Sequence, residues 1–437
     1  MAFHSVRKVP ASVIVRAGHI CLLRTDTILI QLLRMHFNCL MNTGGNMKKS
    51  DKIFLSLLLT VSLTAVTGAE AAYASSPEFA RTAEEWALLQ DNRMDYSELE
   101  GLVQEYNPTV QQNQFDYRQF REDYGDKKED VSQSYRDLAE ELLNDIDYPD
   151  VSDADYATRM TAALSSEAQA KNLQATADKN EEDSETKRLT YEMAEKTLVR
   201  TAQNNMIAYH TGLLDISKYG RARDQTALLL SLAQAKKNAG TATDVDVLTA
   251  QQNDLTAEQN SQKAQSDLSE TKQKLQIMLG WGADASPEIG DIPEPDLTRI
   301  DRMNPAADTE KALANNYTLK INLKKLQNAN SQSQKDTLNS AIADNRSKIA
   351  AGLVTACQNA VNARTNYSAL EAASQLKHIA LQQTADKYSI GSASRIEYDQ
   401  AQIASDLSDM ALEEAKLTLF ESMEAYDWNV NGLSDAS

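Results

Sequence analysis

The sequence predicts an all-α protein made of two tandem long coiled-coil helical hairpins with little or no β-structure. Three observations lead there: where the prolines fall, one internal repeat, and apolar residues at heptad spacing. Beyond residue 74, prolines occur at Pro77, Pro108 and Pro149, then at Pro287, Pro293, Pro295 and Pro305, with none from Asp150 to Ser286 and none after Pro305. Proline removes a backbone donor and breaks helix interiors, so these gaps permit very long helices.

The repeat places two turns. Ala239-Gly240-Thr241-Ala242-Thr243-Asp244-Val245-Asp246-Val247 matches Ile390-Gly391-Ser392-Ala393-Ser394-Arg395-Ile396-Glu397-Tyr398, and Ala250-Gln251 then matches Ala401-Gln402. Each copy reads Gly-x-x-Thr/Ser-x-x-Asp/Glu. Glycine just past a helix end takes the left-handed conformation that closes the last turn, and the following Thr/Ser-x-x-Asp/Glu is a capping box that starts a new helix. Gly240 and Gly391 are therefore expected to be tips where one long helix reverses into the next.

The limbs follow from the same grammar. After the second tip Ile396, Ile403, Met410 and Leu417 recur every seven residues, with Leu407 and Phe420 near companion positions. After the first, Leu248, Leu255, Leu268 and Leu275 approximate that spacing among Ala and Gln. A narrow apolar stripe of this period suits a coiled coil. Upstream, Ser152 and Asp155 are read as the start of a helix from Asp153 to Asn238, on the order of 130 Å long and open to bending at Gly212 and Gly220. Before it, Thr109 to Ile146 reads as one helix turning at Tyr148-Pro149-Asp150, and Thr82 with Glu85 and Ser97 with Glu100 mark two earlier starts. Trp281 and Trp428 close the descending limbs and are read as packing residues.

The domain plan has five parts. Residues 1–46 carry five Lys/Arg, one acid and two of the three cysteines; they read as an upstream extension assigned to the gene by mistake. Thr43-Gly44-Gly45-Asn46 can be encoded with AGGAGG just ahead of Met47, as a translated ribosome-binding site would be. Residues 47–74 read as a signal peptide: Lys48, Lys49 and Lys52, an apolar run from Ile53 to Val66, and Ala72-Tyr73-Ala74 before Ser75. The alternative is a genuine cytoplasmic extension before an uncleaved helix from Ile53 to Val66, a run shorter than the ~20 residues a spanning helix needs. Residues 75–279 form the first hairpin repeat, 280–308 a linker, and 309–437 the second hairpin repeat. The chain is expected to be exported into the cell envelope.

Charge and composition exclude several classes. Residues 1–74 hold eight of the 44 Lys/Arg and three of the 63 Asp/Glu, so the exported part keeps 36 and 60 and stands near −24. Such a chain repels nucleic acid and anionic headgroups. Only Cys357 remains, leaving no intramolecular disulfide, and His210 and His378 stand apart from any metal-ligand spacing. No nucleophile motif or phosphate loop is present, so no enzyme, cofactor or metal is predicted.

Two motifs and their order carry a family resemblance. Tyr96-Ser97-Glu98-Leu99-Glu100-Gly101-Leu102-Val103-Gln104-Glu105-Tyr106-Asn107-Pro108 resembles the opening helix of the TolC-like outer-membrane efflux factors, with an echo at Ala312-Leu313-Ala314-Asn315-Asn316-Tyr317. Gly240-Thr241-Ala242-Thr243-Asp244-Val245-Asp246-Val247-Leu248-Thr249-Ala250-Gln251 resembles that family's periplasmic hairpin tip. The resemblance implies a homotrimer whose six hairpins form a hollow α-helical cylinder. It implies docking of the tips (Gly240, Thr241, Thr243, Gly391, Ser392, Ser394 and Arg395) onto a membrane-fusion adaptor of an inner-membrane transporter, and iris-like opening. Asp246 and Glu397 fall where acids line the tunnel in the family; they are also the fourth residues of the two capping boxes, and both roles are compatible. Arg395 is placed to pair with a neighbouring hairpin or the adaptor. The family also inserts four β-strands per subunit, as alternating segments of ~10 residues; none is read here. Two functions follow: a passive export conduit beside an adaptor and pump, or a non-transporting coiled-coil envelope protein that binds such a partner.

Overall fold

The computed structural model describes residues 81–282 and 284–434, and the expectations for residues 1–46 and for the signal peptide lie outside these. The chain is all-α. In order, the elements are α1 (Ala83–Leu89), β1 (Arg93–Met94), a 3-10 turn (Tyr96–Glu98), α2 (Leu99–Tyr106), α3 (Pro108–Tyr124), α4 (Lys128–Asn144), α5 (Tyr156–Lys179), α6 (Ser184–Asn238), α7 (Asp244–Met278), β2 (Glu288–Ile289), α8 (Leu297–Arg302), α9 (Pro305–Asn315), α10 (Tyr317–Asn328), α11 (Gln332–Ser389) and α12 (Arg395–Val430). The described strands are one parallel pair, Arg93 opposite Glu288 and Met94 opposite Ile289.

The described residues fall into two compact units, 81–92 with Glu122–Asn180, and Arg93–Arg121 with 181–434. In the first, α4 packs on α5. Asn180 Nδ2 donates to Lys128 O (3.3 Å) and Ser132 Oγ (3.2 Å), and Arg136 pairs with Asp178 at 3.1 Å. Thr82 and Glu85 form the predicted box at the start of α1.

The larger unit is a twofold repeat. In each half a short helix ends at an asparagine in extended conformation, which caps the next helix and ties down the end of the descending limb. Asn107 Oδ1 accepts from Thr109 N (2.9 Å), while its Nδ2 donates to Met278 O (2.9 Å). Asn316 Oδ1 accepts from Leu319 N (2.9 Å), while its Nδ2 donates to Gly432 O (3.3 Å). The long limbs then follow: α6 reverses into α7 and α11 into α12, with α12 also packed on α6, so the helices lie in the order α7, α6, α12, α11.

Several predicted boundaries are corrected. The span Thr109 to Ile146 is two helices, because Gly125 takes φ +82° and Lys127 starts α4 with its amide held by Asp130. The single helix from Asp153 to Asn238 is also two, α5 and α6. Asp183 accepts from Thr186 N (2.9 Å) and from Asn328 Nδ2 (3.0 Å) and pairs with Lys324 (3.0 Å). A short polar side chain thus competes with the helical backbone and breaks it without proline or glycine. α5 starts at Asp155, with no side-chain bond from that residue. The start placed at Ser97 lies at Asp95, whose amide donates to Glu98 Oε2 at 3.4 Å. α6 runs unbroken through Gly212 and Gly220. The segment from Ala306 to Ala351, free of Pro and Gly, is nonetheless interrupted at Asn316 and again before Ser331, which starts α11 with a capping box to Gln334.

The apolar core sits at the base of the hairpins, away from the tips. Leu99, Leu102, Val103, Met206, Leu275 and Leu279 are buried there in the first half. Ala312, Leu319, Ile342, Ile349, Leu353, Tyr426 and Val430 form one cluster in the second, beside Ile300, Leu419 and Met423. Each large side chain buried contributes about 1.5–3 kcal/mol. Toward the tips the seams narrow to small and polar residues. On α7 the face turned to α6 is Val247, Asp254, Ser261, Leu268 and Leu275 with Ala250, Ala257, Ala264, Thr271 and Met278. Leu248 and Leu255, predicted on that seam, face outward at 62% and 60% exposure. Leu268 and Leu275 lie on the seam as predicted, whereas toward the tip it shifts by one residue to Val247 and Asp254.

Candidate functional site

The tips are built alike from local chemistry. At the first, the Gly240 amide donates to Lys237 O and the Thr241 amide to Lys236 O, each at 2.9 Å, with Gly240 at φ +71°. At the second, the Gly391 amide donates to Tyr388 O (3.0 Å) and the Ser392 amide to Lys387 O (2.8 Å), with Gly391 at φ +76°. These pairs satisfy carbonyls that the helix end leaves open. A Cβ at either glycine would meet open space, so the left-handed backbone alone favours glycine there.

Each capping box closes in both directions. Thr243 Oγ1 accepts from Asp246 N (3.2 Å), and Asp246 Oδ2 accepts from Thr243 N (2.7 Å). Ser394 Oγ accepts from Glu397 N (3.2 Å), and Glu397 Oε2 accepts from Ser394 N (2.6 Å). Those backbone bonds, with the Thr243 and Ser394 hydroxyls, hold both carboxyls below the usual carboxylate range. Asp246 and Glu397 are exposed and engaged by their own helix starts. Arg395 is engaged as well: its Nε lies 2.8 Å from Asp399 Oδ1 on the same helix.

Sequence reasoning missed three features. The Tyr388 and Tyr398 rings stack across the second tip with centroids 5.4 Å apart, and two tyrosines flanking a tip glycine were the available signal. A row of exposed apolar side chains runs up the outer faces: Val245, Leu248 and Leu255 on α7, and Leu376, Ile379 and Ile390 on α11 and at its end. Leu255 and Leu376 both stand 15 positions from their own tip glycine. Finally, His378 bridges α11 and α12. Its Nε2 lies 2.9 Å from Asp409 Oδ1 and its Nδ1 3.1 Å from Ser405 Oγ. The Ser405 hydroxyl sits between helices on a residue 1% exposed, so the trio acts as an interhelical clasp with no approach for an acyl group.

No protein-family model matches the chain, and no curated protein matches it by sequence. Solved structures that match include a membrane protein from Pseudomonas aeruginosa, at 13% identity over 77% of this chain and 93% of that one, with a TM-score of 0.47. They also include the Campylobacter jejuni CmeC outer membrane channel, at 10% identity over 84% and 91%, TM-score 0.44. A third is the outer membrane protein VceC from Vibrio cholerae, at 11% identity over 77% and 96%, TM-score 0.42.

Proposed function

We propose that this chain is a subunit of a passive export conduit that works with a membrane-fusion adaptor and an inner-membrane transporter. The observation that carries the reading is the row α7, α6, α12, α11, whose two outer helices carry exposed apolar residues at matched heights toward the tips. An outer face of one kind on α7 and another on α11 is a heterologous pair, which generates a ring when the rotation closes. Three copies close the row into a tube in this reading, in agreement with the TolC-like motifs. The tips at Gly240, Thr241, Thr243, Gly391, Ser392, Ser394 and Arg395 face the adaptor, and Asp246 and Glu397 line the mouth while capping their helices. The domain plan is retained as part of the proposal: hairpin repeats 75–279 and 309–437 joined by the linker 280–308, exported by way of residues 47–74.

A second reading, a coiled-coil envelope protein that binds an adaptor or another envelope partner without transport, is favoured by one observation. The inserted segment Glu122–Asn180, where the resemblance implies the first pair of strands, is helical. Light scattering on the purified exported form separates the two. A trimer is expected; a strict monomer or an antiparallel dimer overturns the conduit.

A further inference from the structure

We infer that a polar layer crossing all four long helices sets their mutual register and so brings the two tips to one level. In the first hairpin Thr226 Oγ1 donates to Asp254 Oδ1 (2.9 Å) and Arg223 Nη2 lies 3.5 Å from Glu258 Oε1. In the second, Ser374 Oγ donates to Asp409 Oδ1 (2.6 Å), joined by the His378 clasp to Asp409 and Ser405. Six of these residues form three repeat-equivalent pairs, while Thr226 and His378 stand 14 and 13 before their tip glycines. Arg223 and Ser374 each stand 17 before their tip glycine, Asp254 and Ser405 each 14 after it, and Glu258 and Asp409 each 18 after it. Between the hairpins, Arg221 Nε lies 3.0 Å from Asp406 Oδ2, and within α12 Gln402 Nε2 donates to Asp406 Oδ1 (3.0 Å). Asp406 Oδ2 is buried without an aligned hydrogen bond, so the Arg221 charge is what compensates it.

The seams at this height explain the need. Ala257, Ala264, Ser374 and Ser405 are small or polar, and a stripe of small residues packs nearly as well after a slip of one heptad. A buried polar group does not, because the slip leaves it unpaired; Ser374 and Ser405 are buried and the Asp406 side chain is 20% exposed, while Arg221, Arg223, Glu258 and His378 reach the surface. The observed register is level. Gln203 and Trp428, bonded at 2.8 Å, each stand 37 positions from their tip glycine, and the Lys218–Glu414 pair (3.2 Å) stands at 22 and 23. Both tips therefore end within about one helical turn of each other. Arg221 and Asp406 are positioning residues for a docking surface composed of two tips.

The functional consequence rests on the adaptor-docking reading, but the register is measured on the protein alone, so the two fail separately. Spin labels at Thr241→Cys and Ser392→Cys, with Cys21, Cys39 and Cys357 changed to serine and labelled chains diluted in unlabelled ones, report the distance between tips. The parent is expected to give one narrow distribution. Arg221→Leu with Asp406→Leu is expected to keep its unfolding midpoint while a second population appears, displaced by about 10 Å, the rise of one heptad. The charge swap Arg221→Asp with Asp406→Arg is expected to return the single narrow population. A single narrow distribution in the leucine pair overturns the inference. Should that pair fail to fold, the swap decides: two populations in it overturn the inference, one supports it.

Discussion

At single positions the tips depend on backbone conformation rather than contact. Gly240 and Gly391 hold positive φ with nothing near their missing side chains, so alanine at either is expected to cost about 1 kcal/mol through the left-handed backbone alone. Gly220 is the control. It lies inside α6 with open space around it, and Gly220→Ala is expected to raise stability by about 0.5–1 kcal/mol. Thermal unfolding of the three variants checks the opposite signs. The cap carboxyls add a pH dependence. Because backbone and hydroxyl bonds depress Asp246 and Glu397, their contribution is fully present above the ordinary carboxylate range, about pH 4, and is lost as pH falls through the depressed values. Protection of the amides at 243–247 and 394–398, relative to their unfolded exchange rates, is therefore expected to fall below about pH 4 in the parent. In Thr243→Ala and Ser394→Ala it is expected to be low at every pH.

Among whole helices, stability is graded from base to tip. Leu353 is fully buried in the basal cluster, and Leu353→Ala is expected to cost about 2–5 kcal/mol. Ala264, on the tipward seam of α7, is 7% exposed, and Ala264→Leu is expected to overpack it at about 1–3 kcal/mol. Denaturant titration measures both. Helix existence was legible in proline spacing, and the two tips in a duplicated cap motif. The breaks at Gly125 and at Asn180 to Asp183 were not. Asp183 starts α6 in a position held by Asn328 and Lys324, residues more than 140 positions away, and no local pattern reports such partners.

For the molecule as a whole, the question is what covers the outer faces of α7 and α11. If copies of this chain do so, Leu255→Lys is expected to reduce the trimer to monomer by light scattering. Its helical circular dichroism is expected to persist, because the side chain is 60% exposed in the single chain. A trimer that persists in Leu255→Lys places the interface elsewhere. The repeat extends further than its tip motif, since Asn107 and Asn316 perform the same double task in both halves. The helical segment Glu122–Asn180 explains why the first half is longer: it is inserted between α3 and α6, whereas α10 leads into α11 after a short break.

The amino-acid order alone was enough for the hairpins, because caps, prolines and heptads act within a few residues of where they stand. It was enough for the tips too, since a left-handed glycine followed by a capping box is a local structure. Which face of each limb is buried, where the limbs break, and that the two hairpins lie level were settled only on folding. Those outcomes depend on pairs such as Arg221 with Asp406 and Gln203 with Trp428, which lie about 200 positions apart and share no signature until the helices meet.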